Sequence, residues 1–293
     1  MSRLSRLAAL AAVVLPTAAY AQHANFVLFG TDNPAAEQTK EQKFVHPLTV
    51  PYYNEDSFVT TDARAWFAYH KFPEHSLIGG GHATDYALQL RLALTDTIQF
   101  VAYKDGYLDL NSRLVDEGGW NDVAAGIKWN FIQNWKDQFH MAVGVGYELP
   151  VGDAKVLQND QELRVWGSVN KGFDKFHLGL TVNGLFQLGS ADALGNSDRL
   201  IWNLHADYHV CDWFSPVVEM NGIHVLNKNK EVLPFSGADV ADLGGGDDVI
   251  TLGVGGEFRI TDNIAARAAY ELPLTDGEDL YGWRVTASVV WSF

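Results

Sequence analysis

The end of the chain carries an alternation that only one kind of backbone accommodates. Trp283, Val285, Ala287, Val289, Trp291 and Phe293 take every second position, and mostly polar residues such as Arg284, Thr286, Ser288 and Ser292 lie between them. Successive side chains of a strand point to opposite faces, so a period of two predicts a strand with one apolar and one mostly polar face. A helix would scatter the same residues around its circumference.

The pattern recurs along most of the chain. From Asp62 onward, twelve alternating segments follow one another: about 62–72, 84–94, 97–107, 121–132, 138–149, 161–172, 176–187, 199–210, 214–225, 248–260, 264–273 and 282–293. Their linkers alternate between short and long. The short ones contain Asp96, Asp137, Asp174, Asp212 and Asp262, whose side chains can bond nearby backbone N–H groups and favour a turn. Short turns on one side, long loops on the other and an even strand number describe a transmembrane barrel. The fold expected is therefore all-β: a transmembrane antiparallel up-and-down β-barrel of about 12 strands over residues 62–293. Both termini then lie on the side of the short turns, the periplasmic side.

The opening of the chain sets the compartment. Residues 1–21 read as a cleaved export signal, with Arg3 and Arg6 before an apolar core at Leu7 to Leu15 and Ala19-Tyr20-Ala21 before Gln22. That core is too short to span a membrane as a helix, which takes roughly 20 apolar residues. Residues 22–61 show no sustained period and carry Asp32, Asn33, Pro34, Glu37, Lys40 and Glu41. They are expected to form an irregular N-terminal periplasmic arm, tucked into the lower mouth of the barrel.

Composition excludes several classes of function. Mean hydropathy is −0.08, as expected when one face of every strand meets lipid and the other meets water. The single cysteine, Cys211, rules out an internal disulfide and a cysteine-based metal site. A net charge of −15 argues against nucleic acid, which favours a basic surface. No cofactor is expected. A soluble secreted pair of β-sandwiches is the competing fold, and the export signal together with the terminal strand weighs against it.

Alternation also assigns the two faces. Outward positions include Leu88, Leu90, Val143, Val145, Leu204 and Val254, with few charges among them. Inward positions are rich in ionisable groups of both signs. Counting from the Asp262 turn puts Glu257 opposite Arg267, and counting from Asp212 puts His205 opposite Glu219. Two readings follow. The set is a structural lattice of ion pairs, or Arg91, Lys128, Arg164, His205, Glu219, Glu257, Arg267 and Arg284 form a lumen constriction that selects passing solutes. His205, Asp207 and His209 lie on one strand, where i and i+4 are about 13 Å apart, so one ion cannot gather all three and no metal site is assigned. Acidic residues such as Glu74, Asp116, Glu117 and Asp153 crowd the long loops. They fit solvation and cation-bridged contact with lipopolysaccharide, or attraction of cations to the mouth.

Enzymatic readings are weaker. A barrel that hydrolyses lipid needs a Ser–His pair facing the bilayer; His224 is outward near the upper rim, but Leu200, Trp202, Ile250 and Leu252 beside it include no nucleophile. A rim protease would draw on His75 and His82 with Asp85. Gly79-Gly80-Gly81 and Gly244-Gly245-Gly246 lack the spacing and the lysine of a phosphate loop.

Two resemblances complete the reading. The closing Trp291 and Phe293 resemble the signal by which the barrel assembly machinery recognises outer-membrane barrels. Asp122 with Gly126-Ile127-Lys128-Trp129, then Gly146-Tyr147-Glu148-Leu149-Pro150-Val151-Gly152-Asp153, is similar to the outer-membrane family named for the MetA pathway of phenol degradation. Tyr270-Glu271-Leu272-Pro273-Leu274-Thr275-Asp276 echoes the same strand ending, and the likeness covers about residues 84–293. It implies an outer-membrane channel for passive passage of small solutes, aromatic or other organic compounds among them. No solute-contact residue carries over. The alternatives are a sealed structural or surface barrel without transport and, less favoured, a lipid-modifying barrel enzyme. The expected partners are outer-membrane lipid and lipopolysaccharide, the assembly machinery and small-molecule solutes.

Overall fold

A computed structural model of the chain describes residues 26–30, 39–76, 78–158, 161–188, 197–227, 235–238, 243–245, 248–275 and 281–293. The expected export signal at 1–21 lies outside them. The strands are β1 (Asp62–Lys71), β2 (His82–Ala93), β3 (Ile98–Lys104), β4 (Tyr107–Asn111), β5 (Asp116–Trp120), β6 (Val123–Asn134), β7 (Phe139–Leu149), β8 (Gln161–Phe173), β9 (Phe176–Leu188), β10 (Asp198–Tyr208), β11 (Phe214–Asn227), β12 (Phe235–Ala238), β13 (Leu243–Gly245), β14 (Val249–Arg259), β15 (Ile264–Pro273) and β16 (Trp283–Ser292).

Each wall strand pairs antiparallel with its sequence neighbours, and β1 pairs with both β2 and β16, so the sheet closes into a 12-strand barrel. Closure pairs both edges of the 12-strand wall, which is what allows strands to cross a bilayer. β12 and β13 form a separate two-stranded pair. The expected fold is the observed one.

The wall departs from the sequence reading at β3 to β6. That reading left 108–120 as a loop, but β3 and β4 both pair with β2, and β4 pairs with β5 ahead of β6. The third and fourth wall positions thus run on past a break at Asp105-Gly106. Gly106 has φ +118°, and a Cβ there would lie 2.4 Å from the Tyr86 carbonyl oxygen, so only glycine lets the strand bend at this point. The extension buries Leu108 and Leu110 against Phe72, Ile78, Ala83 and Val156, an apolar cluster at the end of the barrel carrying the long loops.

The turns follow the expected alternation, but the bonding residue often differs. Thr95 Oγ1 accepts from the N–H groups of Thr97 and Ile98, and Thr261 Oγ1 from those of Asn263 and Ile264. Asn134 Oδ1 accepts from the Asp137 N–H. In the two-residue turn between β8 and β9, Asp174 adopts φ +55°, a conformation that Asp tolerates better than most residues.

Outside, Leu88, Leu90, Val143, Val145, Leu204 and Val254 are exposed, making the apolar belt that the alternation predicts. Inside, the wall is polar, and it is not empty.

Candidate functional site: an occupied lumen

Residues 43–61 run through the interior as an irregular hairpin that enters and leaves on the short-turn side. The sequence reading left this stretch as an arm at the lower mouth. It goes much deeper, because Phe44, Val45, Leu48, Val50, Tyr52, Tyr53 and Phe58 all bury against the wall or one another. Such residues are stabilised by leaving water, whereas a free arm would leave them in it. The turn forms where the N–H groups of Tyr53 and Asn54 both donate to the Val50 carbonyl, at 3.0 and 2.9 Å. Val50 itself has φ +48°, a strained left-handed conformation for a β-branched residue.

The incoming leg is held by wall acceptors. Glu219 takes the N–H of Leu48 at 3.0 Å and that of Thr49 at 2.6 Å, and Asp207 takes that of Val45 at 3.2 Å. Those carboxylates belong to one polar chain. His177 meets Asp207 at 2.7 Å, Asp207 meets His205 at 3.1 Å, and His205 meets Glu219 at 2.7 Å. His209 stands apart, 3.8 Å from Asp212, so only His205 and Asp207 of the three residues weighed for a metal come together.

At the turn, Arg164 donates to the carbonyls of Tyr52 and Tyr53, both at 2.9 Å, and to Asn183 Oδ1 at 2.9 Å. Its guanidinium lies 4.4 Å from the centre of the Trp166 ring. That ring lies flat across the sheet because Gly144 offers no Cβ, which would fall 2.1 Å from it. Tyr52 Oη donates to Asp85 at 2.7 Å and accepts from Asn121 Nδ2 at 2.7 Å.

The outgoing leg carries the negative charge. Glu55 meets Arg91 at 2.6 Å and Lys128 at 2.9 Å, and Asp56 is bonded to His46. Ser57 donates through Oγ to Asn170 Oδ1 at 2.7 Å, Thr181 Oγ1 donates to the Glu55 carbonyl at 2.7 Å, and Gln99 Nε2 donates to the Thr60 carbonyl at 2.6 Å. Buried charges persist only when paired and hydrogen-bonded. Here the wall supplies partners to the hairpin and the hairpin to the wall.

Of the eight residues expected at a constriction, Arg91, Lys128, Arg164 and Glu219 bond the hairpin directly, and His205 orients Glu219. Glu257 and Arg267 face each other in register, 2.8 Å apart, near the short-turn end of the wall. Arg284 pairs with Glu271 at 2.7 Å near the opposite end. The eight do not share one level of the barrel, so no single ring of charge forms. Trp291 and Phe293 are exposed at the end of the last strand with ring centres 4.6 Å apart.

Sequence reasoning missed Glu55, Asp56, Tyr52 and Tyr53 on the hairpin, and Lys104 and Arg199 on the wall. Lys104 meets Glu148 at 2.5 Å and Arg199 meets Glu162 at 2.7 Å. Arg199 sits at an inward position by alternation, whereas Lys104 has the outward parity of β3 and is turned inward where the register with β6 shifts. The hairpin left a different signal: Val50, Tyr52 and Tyr53 lie close together in a stretch otherwise expected to face water.

The sites weighed for enzymes are otherwise engaged. His224 bonds Asp248 through Nδ1 at 2.8 Å and accepts the Trp202 indole N–H at Nε2, leaving neither ring nitrogen for a hydroxyl. Asp85 lies inside the lumen on Tyr52, and His82 stacks on Tyr69 instead.

No known protein-family model matches the sequence, and no curated protein matches it. Among solved structures the chain is similar to the NanC porin, with 11% identity and a TM-score of 0.51 over 80% of this chain and 98% of that one. The KdgM porin gives 12% identity and a TM-score of 0.48 over 78% and 99%. The β domain of the Bordetella autotransporter Brka gives 8% and 0.49 over 80% and 100%. The likeness to the NanC porin is one of fold, that of a closed antiparallel β-barrel.

Proposed function

We propose that the chain is an outer-membrane channel for small solutes whose own residues 43–61 occlude the lumen in the state described here. The observation that carries this reading is the way the hairpin is held. Polar groups hold it along its length, from Glu219 and Asp207 on one leg through Arg164 at the turn to Arg91, Lys128 and Asn170 on the other, beside apolar contacts of Val45, Leu48, Val50, Tyr52 and Tyr53 with the wall. A polar contact exchanged for water loses about 0.5–1.5 kcal/mol net, or about 1.5–3 with a charged partner, so the polar part of the hold opposes release less than the number of contacts suggests. Passage is then passive and takes place through the space the hairpin vacates. The resemblance to the phenol-degradation family makes small aromatic compounds the first solutes to test.

The second reading, a sealed surface barrel, draws on the apolar cluster of Phe72, Ile78, Leu108, Leu110 and Val156. Liposome swelling separates the two. The full chain and a chain lacking residues 43–58 are reconstituted and challenged with small sugars, amino acids and phenols. The channel reading predicts faster swelling after deletion, and a sealed barrel predicts none in either case. The terminal Trp291 and Phe293 fit recognition by the assembly machinery, and the acidic outer loops fit divalent bridging to lipopolysaccharide.

A further inference from the structure

Where the incoming leg passes the wall strands β14 to β16, a cavity of about 60 Å³ opens at the short-turn mouth. Its lining brings Lys43 and His46 of the hairpin to Glu257, Arg259, Asp262 and Arg267 of the wall. Most of these charges are committed. Glu257 binds Arg267 at 2.8 Å and Arg259 at 3.1 Å, His46 binds Asp56, and Asp262 is exposed in the turn. Lys43 is the exception. Only 6% exposed, it lines the cavity with no hydrogen bond or ion pair among the described residues.

A largely buried ammonium is costly, and here Glu257 and Asp262 favour its charge from nearby without pairing with it. Burial, with Arg259 adding repulsion, pushes the Lys43 pKa down to about 7. Arg259 has donors to spare, since its Nη1 makes only a 3.5 Å contact with the Asp212 carbonyl. Two cations, one on the hairpin and one on the wall, thus border one cavity that opens at the mouth.

We propose that a small oxyanion of the phosphate or carboxylate kind binds between Lys43 and Arg259 and pins the hairpin to the wall. Binding stands apart from the channel reading; only its effect on passage rests on that reading. The ligand would stabilise the seated hairpin by mass action, since the site is complete only while both halves are together.

The test is calorimetric titration of inorganic phosphate into the full chain in phospholipid-free detergent at pH 6.5. One phosphate is expected per barrel. Affinity should fall at least tenfold in Lys43→Met and in Arg259→Met, and persist in Lys43→Arg and in Lys136→Gln, a change at an exposed turn lysine. Heat-modifiable gel migration confirms that each variant is folded. Competition by added phosphatidylglycerol would identify the natural oxyanion as a lipid headgroup, and its absence a free anion. No heat of binding in the folded wild type, or equal affinity in Lys43→Met, overturns the proposal. Phosphate should also slow liposome swelling through the wild type and not through Lys43→Met. Binding without slowing would leave the site standing and remove the channel reading.

Discussion

Glu55, on a segment with no regular structure, lies 2.6 Å from Arg91 on the wall strand β2, and both side chains are almost fully buried. Lys128 reaches the same carboxylate from β6 at 2.9 Å. One hairpin residue thus bridges two wall cations that stand on the strands either side of β3. Removing one partner from a buried pair typically costs 3–5 kcal/mol. Glu55→Gln should therefore raise the open fraction in planar-bilayer recordings at least tenfold. A trace indistinguishable from wild type would detach the ion pair from closure.

Arg164 holds the turn through geometry as much as charge, since its planar fork meets two successive carbonyls. Lysine cannot make both bonds at once. Arg164→Lys should lower hydrogen-exchange protection at Tyr53 and Asn54 about tenfold while leaving the wall strands protected. Unchanged protection at those two amides would place the grip elsewhere.

Lys43 makes seating depend on pH. Its ammonium has a pKa of about 7 in the seated hairpin, down from an ordinary 10.5 through burial and then Arg259. Between those values the released hairpin binds more protons than the seated one, so seating strengthens as pH rises from 7 toward 10.5. The gain approaches one proton's worth, about tenfold per pH unit at most. Limited proteolysis of residues 43–61 in an anion-free buffer should slow accordingly from pH 7 to pH 9. In Lys43→Met the slope should vanish, and a slope that survives there contradicts the assignment.

The apolar belt makes a separate prediction. Val254, exposed midway along β14, occupies the hydrocarbon-facing side. Val254→Arg should destabilise the barrel by about 2–4 kcal/mol in urea unfolding from lipid vesicles. No loss of stability would mean that this face does not meet lipid.

The wall was legible in the sequence because every strand repeats one physical constraint. A residue facing lipid must be apolar and its successor need not be, so alternation gave the faces and the turns gave the register. That is why Glu257 could be set opposite Arg267, and His205 opposite Glu219, by counting alone. The hairpin was illegible for the opposite reason. A segment that fills an irregular space has no period, and Glu55 or Asp56 looks the same in solvent as in a lumen until its partners are known. Gly106 hid the β4–β5 extension in a related way, since a bend breaks the phase of the alternation on which the strand reading depends.

The central claim, that this hairpin must move for solutes to pass, is tested most directly by tying it down. Ser57 Oγ bonds Asn170 Oδ1 at 2.7 Å, so a Ser57→Cys, Asn170→Cys barrel with Cys211→Ser is oxidised to tie the hairpin to the wall, with disulfide formation verified by thiol titration. Single-channel current is recorded from that barrel before and after reductant. Closed traces when oxidised and openings once reduced are the predicted result. Equal openings in both states would contradict it.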